Sequence, residues 1–248
     1  MLRSFLICIC YDGTDFCGYQ IQDNGRTVGG VMLATMKKVF GEVFNMAGCS
    51  RTDSGVHALN YYISFKVETR MTTESVVKAL NANLPDDISV KSCREVADDF
   101  HARYSVVSKE YEYRMYTADV KSPFKRNHAL YLKYPLNVEV LNNAASNLVG
   151  THDFRSFMAS GSKITDTVRT VYKAEISDRT EGCYSFNISA DGFLYNMVRI
   201  VVGTLLEVQQ GRIAPDDIKD IILSCDRENA GFTAPPQGLY LKDVFYNI

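Results

Sequence analysis

Arg199 stands alone in a stretch that is otherwise almost wholly apolar. The run from Leu194 to Val208 reads Leu-Tyr-Asn-Met-Val-Arg-Ile-Val-Val-Gly-Thr-Leu-Leu-Glu-Val. It predicts a helix that is hydrophobic on nearly every face, and such a helix is buried within a fold rather than laid on its surface. An arginine in it has two places to go. It can sit at the helix rim and send its head group into water. Otherwise it is enclosed and needs a carboxylate, because an ion pair that loses one buried partner costs roughly 3–5 kcal/mol. Asp53 is the candidate partner, since its loop is otherwise uncharged apart from Arg51. A pairing would keep that aspartate ionised and fix its rotamer.

The rest of the chain alternates between strand and helix patterns. Phe5 to Tyr11 is dense in apolar and aromatic residues and ends at Asp12-Gly13, a strand followed by a turn. Thr27 can cap a helix to about Phe40, with Met32, Met36 and Val39 at helical spacing. Tyr61 to Val67 alternates as a strand, Thr73 opens a helix with Val76, Val77 and Leu80 on one face, and Ile88 to Val96 is again a strand. A short extra strand falls near Val43 to Met46. In the second half, Lys109 to Tyr116 alternates strictly, giving a strand with one tyrosine face. Leu136 to Leu148 is an amphipathic helix. Thr167 to Ile176 and Tyr184 to Ala190 form an antiparallel pair turning at Glu181-Gly182. Pro215 starts another helix, and Leu239 to Tyr246 closes with a strand. The expected fold is therefore α/β of the α+β kind: two similar lobes, residues 1–105 and 106–248, each a mainly antiparallel sheet flanked by helices. An active cleft is expected between them.

With 248 residues, 46% of them hydrophobic and 23% charged, the chain has the makings of a proper core. No apolar run approaches the roughly 20 residues that span a bilayer, and the first residues read directly into a strand, which places the protein in the cytoplasm. The seven cysteines are odd in number, widely spaced and without a C-x-x-C, and the four histidines are scattered, so neither a disulfide framework nor a metal site is expected. The net charge of −2 argues against a general polyanion binder. A nucleic-acid site would have to be a local patch, and the best one is Lys121 to His128, with Lys133 behind it. A solvated loop explains the same charges.

The residues suited to chemistry cluster in Ser50-Arg51-Thr52-Asp53-Ser54-Gly55-Val56-His57-Ala58. One carboxylate lies between a cation and a hydroxyl, and the backbone turns at glycine just before a strand. His57 is a possible general base, although a lone histidine beside glycine is more often structural. Tyr111 and Tyr113 share a strand face, either as core or as a ring that stacks on a base. Phe100-His101-Ala102-Arg103 suits a phosphate contact and equally a surface turn.

Taken in order along nearly the whole chain, these segments resemble the tRNA pseudouridine synthase A family. The resemblance rests on Tyr11 to Gln20, Arg26-Thr27-Val28, Arg51 to Ala58, Phe100 to Arg103, Lys109 to Tyr113, Gly150 to Phe154, Val168-Arg169-Thr170, Phe193 to Arg199 and Gly238 to Leu241. Tyr19 departs from it in place of tryptophan, Ser50 and Gln209 in place of glycine, and Gly29 and Val31 in place of glutamine and glutamate. The resemblance implies the pseudouridine synthase fold. It implies isomerisation of uridine at positions 38, 39 and 40 of the tRNA anticodon stem-loop, without a cofactor or metal, by a homodimer. It implies Asp53 as the catalytic group at the ribose. Arg51 would hold the flipped nucleotide, Tyr111 would stack on the uracil, and Arg199 would pair with Asp53; His57 and Leu241 complete the substrate-binding set. Two rivals remain: a paralogue acting on another uridine, and an RNA-binding protein without catalysis, against which the presence of Asp53, Tyr111 and Arg199 argues.

Overall fold

The computed structural model describes residues 2–162, 164–180 and 182–248. In chain order its elements are β1 (Leu2–Tyr11), α1 (Val28–Phe40), β2 (Phe44–Gly48), β3 (His57–Glu68), α2 (Thr73–Asn81), β4 (Ile88–Glu95), β5 (Val106–Thr117), β6 (Leu130–Leu132), α3 (Val138–Ser146), β7 (Gly150–Asp153), β8 (Val168–Thr180), β9 (Cys183–Ala190), α4 (Met197–Gln209), α5 (Asp217–Ser224) and β10 (Leu239–Tyr246). They fall into two compact units, one running from the N-terminus to Val107 and taking in Tyr240–Ile248, the other Ser108–Leu239. Both are mixed α and β with mainly antiparallel sheets, as the sequence leads one to expect. Among the described residues no helix is long and apolar enough to cross a membrane.

In the first unit β1 lies between β3 and β4, antiparallel to both, and β2 pairs with the far side of β3. Phe5, Leu6, Ile7 and Ile9 are all buried, so β1 is covered on both faces, which is why it reads as a continuous apolar run. The closing segment joins this sheet in parallel with β3, Tyr240 opposite His57 and Leu241 opposite Ala58. Helix α1 begins where the Thr27 hydroxyl accepts the Gly30 N–H at 3.2 Å, and Met32 and Met36 are buried along it. Helix α2 opens at Thr73, as read, and is capped by Thr72, whose hydroxyl accepts the Ser75 N–H; Val76 and Leu80 face the core.

In the second unit β9 runs between β5 and β8, antiparallel to both, and β7 edges β8. The short β6, a strand with no sequence expectation, pairs in parallel with the end of β5. Of the turn expected between β8 and β9, Glu181 lies outside the described residues, while Gly182 takes φ +75°. Strand β5 departs from simple alternation. Tyr111, Tyr113 and Met115 are buried on one face, but Glu112 on the other is buried as well, held between the guanidinium groups of Arg114 and Arg179. The apolar helix starts at Met197 rather than Leu194. Asn196 adopts a left-handed conformation, φ +59°, which breaks the helical path just before it and which asparagine tolerates better than most residues.

Candidate active site

The Asp53 loop is held through its backbone. Leaving β2, Cys49 donates its N–H to the Tyr62 carbonyl at 2.9 Å, and the Ser50 carbonyl takes the Tyr61 hydroxyl. The Thr52 side chain meets the Tyr11 hydroxyl at 2.8 Å, and its carbonyl accepts the Tyr19 N–H at 3.2 Å. The Asp53 carbonyl then accepts the Val56 N–H at 3.2 Å, closing a turn in which Gly55 takes φ +76°. On the other side of that turn, the Gly55 N–H and the Ser54 hydroxyl both reach the Phe16 carbonyl, at 3.3 and 3.1 Å. The segment 11–19 and the loop 49–57 are thus laced together, with Asp53 half-buried and Arg51 exposed.

Two glycines make this approach possible. A Cβ at Gly13 would stand 2.0 Å from the Val56 carbonyl oxygen, and one at Gly18, where φ is +81°, would stand 2.3 Å from the Thr52 carbonyl oxygen. Beneath the loop Tyr19 stacks on Tyr61, their centroids 4.4 Å apart. Burial pushes both phenols above their ordinary range, so they stay neutral.

His57 is buried and stacked on the Tyr240 ring, centroids 4.6 Å apart. Its Nδ1 lies 3.0 Å from the Gly13 backbone nitrogen. Asp12 Oδ1 stands 3.1 Å from the same nitrogen and is already engaged by the Thr14 N–H and hydroxyl, at 3.0 and 2.6 Å. In this arrangement His57 fixes the turn at Gly13. Leu241 is fully buried on β10. Of the segment Phe100 to Arg103, Ala102 is a buried anchor: its N–H donates to the Ser64 hydroxyl and its carbonyl accepts from Tyr246. Arg103 is exposed.

The second unit holds the other expected residues. Tyr111 is buried, with the Phe193 ring set edge-on at 5.0 Å. Tyr113 is fully buried and donates its hydroxyl to the Pro235 carbonyl at 2.7 Å. Arg199 is half-buried, one turn into α4. Its Nε donates to the Ala234 carbonyl at 2.7 Å and its Nη1 to Asn196 Oδ1 at 2.8 Å, while its own carbonyl accepts the Ala234 N–H at 3.0 Å. The strap 230–235 lies backbone to backbone against α4: a Cβ at Gly203 would fall 1.7 Å from the Phe232 carbonyl oxygen. The Gly231 N–H donates to the Thr204 hydroxyl at 2.9 Å. Arg199 is therefore a clamped side chain. Sequence reasoning singled it out but missed its holders, Asn196 and the strap, and missed Tyr11, Tyr61 and Gly18 as holders of the Asp53 loop. The glycines were a usable signal, because a glycine inside an otherwise ordered segment often marks a close backbone approach.

The first unit thus carries one aspartate on a tightly held turn, and the second a buried tyrosine strand and a clamped helix arginine. Residues 7–105 and 144–247 match a family model described as tRNA pseudouridine synthase, and the chain belongs to that family. It is 49% identical over 245 residues to the tRNA pseudouridine synthase A of Thermoanaerobacter sp. (strain X514), an alignment covering 99% of this chain and all of the relative. The tRNA pseudouridine synthase A of Exiguobacterium sibiricum is 46% identical, covering 99% of this chain and 97% of its own. That of Geobacillus kaustophilus is 45% identical, with 99% and 95% covered.

Proposed function

We propose that this chain isomerises uridine to pseudouridine in tRNA, at positions 38, 39 and 40 of the anticodon stem-loop, with Asp53 as its reactive group. The observation that carries the reading is the Asp53 turn, a single carboxylate presented on a loop whose backbone is fixed by Tyr11, Tyr19, Tyr61 and Phe16. A rigid mount of this kind is what a reacting group needs, since small misplacements cost orders of magnitude in rate.

A uridine stacked in a stem is out of reach, so the nucleotide is flipped out, at a cost of a few kcal/mol. Arg51 holds the flipped nucleotide and Tyr111 stacks on its uracil. The N1–C1′ bond breaks, the base turns, C5 bonds to C1′, and the proton leaving C5 is balanced by one gained at N1. Asp53 acts at the ribose, either by attacking C1′ or by removing the C2′ proton. Arg199 pairs with Asp53 and holds its rotamer. His57 and Leu241 serve the substrate through the strands that carry them. The enzyme acts as a homodimer in the cytoplasm and takes no cofactor.

The test is tritium release from tRNA transcripts labelled at uridine C5, with the modified positions then mapped in tRNA from a strain lacking the gene. Release, and loss of pseudouridine from the anticodon arm alone, is the expected result. Loss elsewhere would assign the chain to another uridine, and no release by folded protein that binds tRNA would assign it to RNA binding without catalysis.

A further inference from the structure

The connection from β5 to β6 carries an apolar side chain where a solvated loop has no use for one. Residues 118–128 hold three cations, Lys121, Lys125 and Arg126, against one acid, Asp119, in a chain whose net charge is −2. At the tip, Phe124 is 89% exposed, whereas no other phenylalanine exceeds 46%. Singly exposed apolar residues are ordinary; what sets this one apart is how the loop under it is built.

Both ends of the loop are tied to the sheet, because β6 pairs in parallel with β5, Met115 opposite Leu130 and Thr117 opposite Leu132. Two tyrosines one pair in, Tyr116 and Tyr131, hold the loop from below. The Ser122 N–H donates to the Tyr116 hydroxyl at 3.1 Å, and the Tyr131 hydroxyl donates to the Ala118 carbonyl at 3.0 Å. The same rings seat the lysines: Lys125 Nζ lies 4.8 Å from the Tyr116 centroid and Lys121 Nζ 5.6 Å from that of Tyr131. Arg126 folds back to the Pro123 carbonyl at 2.8 Å. Proline at the start of the 3-10 turn Pro123–Lys125 fixes the backbone at the tip. The result is a braced tip that presents an exposed aromatic ring, with two lysines of the same loop seated on the tyrosines beneath it.

An exposed aromatic ring with cations in the same loop matches a nucleobase flanked by phosphates. Stacking is tolerant of base identity and depends on a ring already held in place. We propose that Phe124 is a stacking contact for an unpaired nucleobase of the tRNA substrate, with Lys121 and Lys125 engaging the phosphates beside it. The inference rests on the tRNA reading above and adds to it a contact that acts on binding rather than on the reacting atoms.

The chain has no tryptophan, so Phe124→Trp introduces one reporter at the position in question. In full-length protein its fluorescence should be that of a water-exposed indole. Titration with a tRNA transcript should change that emission, saturating at the Kd found by filter retention. Phe124→Ala should weaken binding by about tenfold or more, and Phe124→Tyr should stay within about threefold of the wild type, all with unchanged melting. Indole emission from Phe124→Trp that does not move at saturating tRNA, or Phe124→Ala binding like the wild type, overturns the inference while leaving the tRNA reading intact. Emission that changes with protein concentration in the absence of RNA, together with a lower sedimentation mass for Phe124→Ala, overturns it in favour of a contact between two copies of the chain. Wild-type protein that binds no tRNA at all brings down the tRNA reading and this inference with it.

Discussion

Residues 49–57 and residues 118–129 are both short polar connections leaving the end of a strand, and both are held by tyrosines, yet they are built to different ends. Under the Asp53 loop the tyrosines are buried, two glycines let a second stretch of backbone press against it, and bonds come from both sides. Under the Phe124 loop, Tyr116 bonds to Ser122 and Tyr131 to Ala118, and the side chain at the tip stays exposed. The first design fixes the backbone that carries one carboxylate, the kind of mount that bond-making chemistry demands. The second stiffens a surface without enclosing it, which suits a ligand that must dock and leave. A loop's polar composition says little about which of these it is; the backbone contacts beneath it decide.

The sharpest break of the comparison is a methyl group at the glycines. Gly18→Ala meets both a positive φ and the Thr52 carbonyl and should cost about 2–4 kcal/mol, read as a lower urea midpoint together with lost turnover. Pro123→Ala, at the tip of the Phe124 loop, should cost less than about 1 kcal/mol. Equal losses would erase the distinction between the two loops. Next come the tyrosine hydroxyls. Tyr11→Phe strands the buried Thr52 hydroxyl and should cost about 1–2 kcal/mol, whereas Tyr116→Phe, with its bonds only part-buried, should cost about half of that.

A weaker effect distinguishes the loops by salt. Lys121→Ala should reduce the slope of log Kd for tRNA against log salt by about 1, with turnover of saturating tRNA kept; an unchanged slope would remove Lys121 from the phosphate contacts. The smallest effect is expected at Tyr19. Its hydroxyl is buried with no hydrogen-bond partner among the described residues, so Tyr19→Phe should leave stability within about 0.5 kcal/mol of the wild type or raise it slightly.

Much of this was legible in the sequence where a single period or cap decides the structure. Thr27 marked α1, the alternation from Lys109 marked β5, and β10 runs from Leu239 to Tyr246 as read. The Asp53 turn was legible as a pattern of residue types, but its support was not, because Tyr11, Tyr61 and Phe16 contribute from segments far apart in sequence and look like plain core. Asn196 ended a helix that hydrophobicity alone would have carried through it: periodicity measures faces, and one residue with positive φ leaves that signal untouched. Glu112 escaped in the same way, since a buried acid between two arginines of different strands has the same local pattern as an exposed one. The loop 118–128 was legible as charge alone; the exposure of Phe124 and the tyrosines beneath it belong to the fold.

The central claim is that the tightly mounted aspartate does the chemistry. It is tested most directly by tritium release from uridine-C5-labelled tRNA, comparing the wild type with Asp53→Asn, while tRNA affinity and thermal melting are followed in parallel. Release should fall by about 10²–10⁴-fold if Asp53 acts as a general base and further if it is the nucleophile, with affinity and melting unchanged. Release that survives the substitution would contradict the claim and move the chemistry away from this loop.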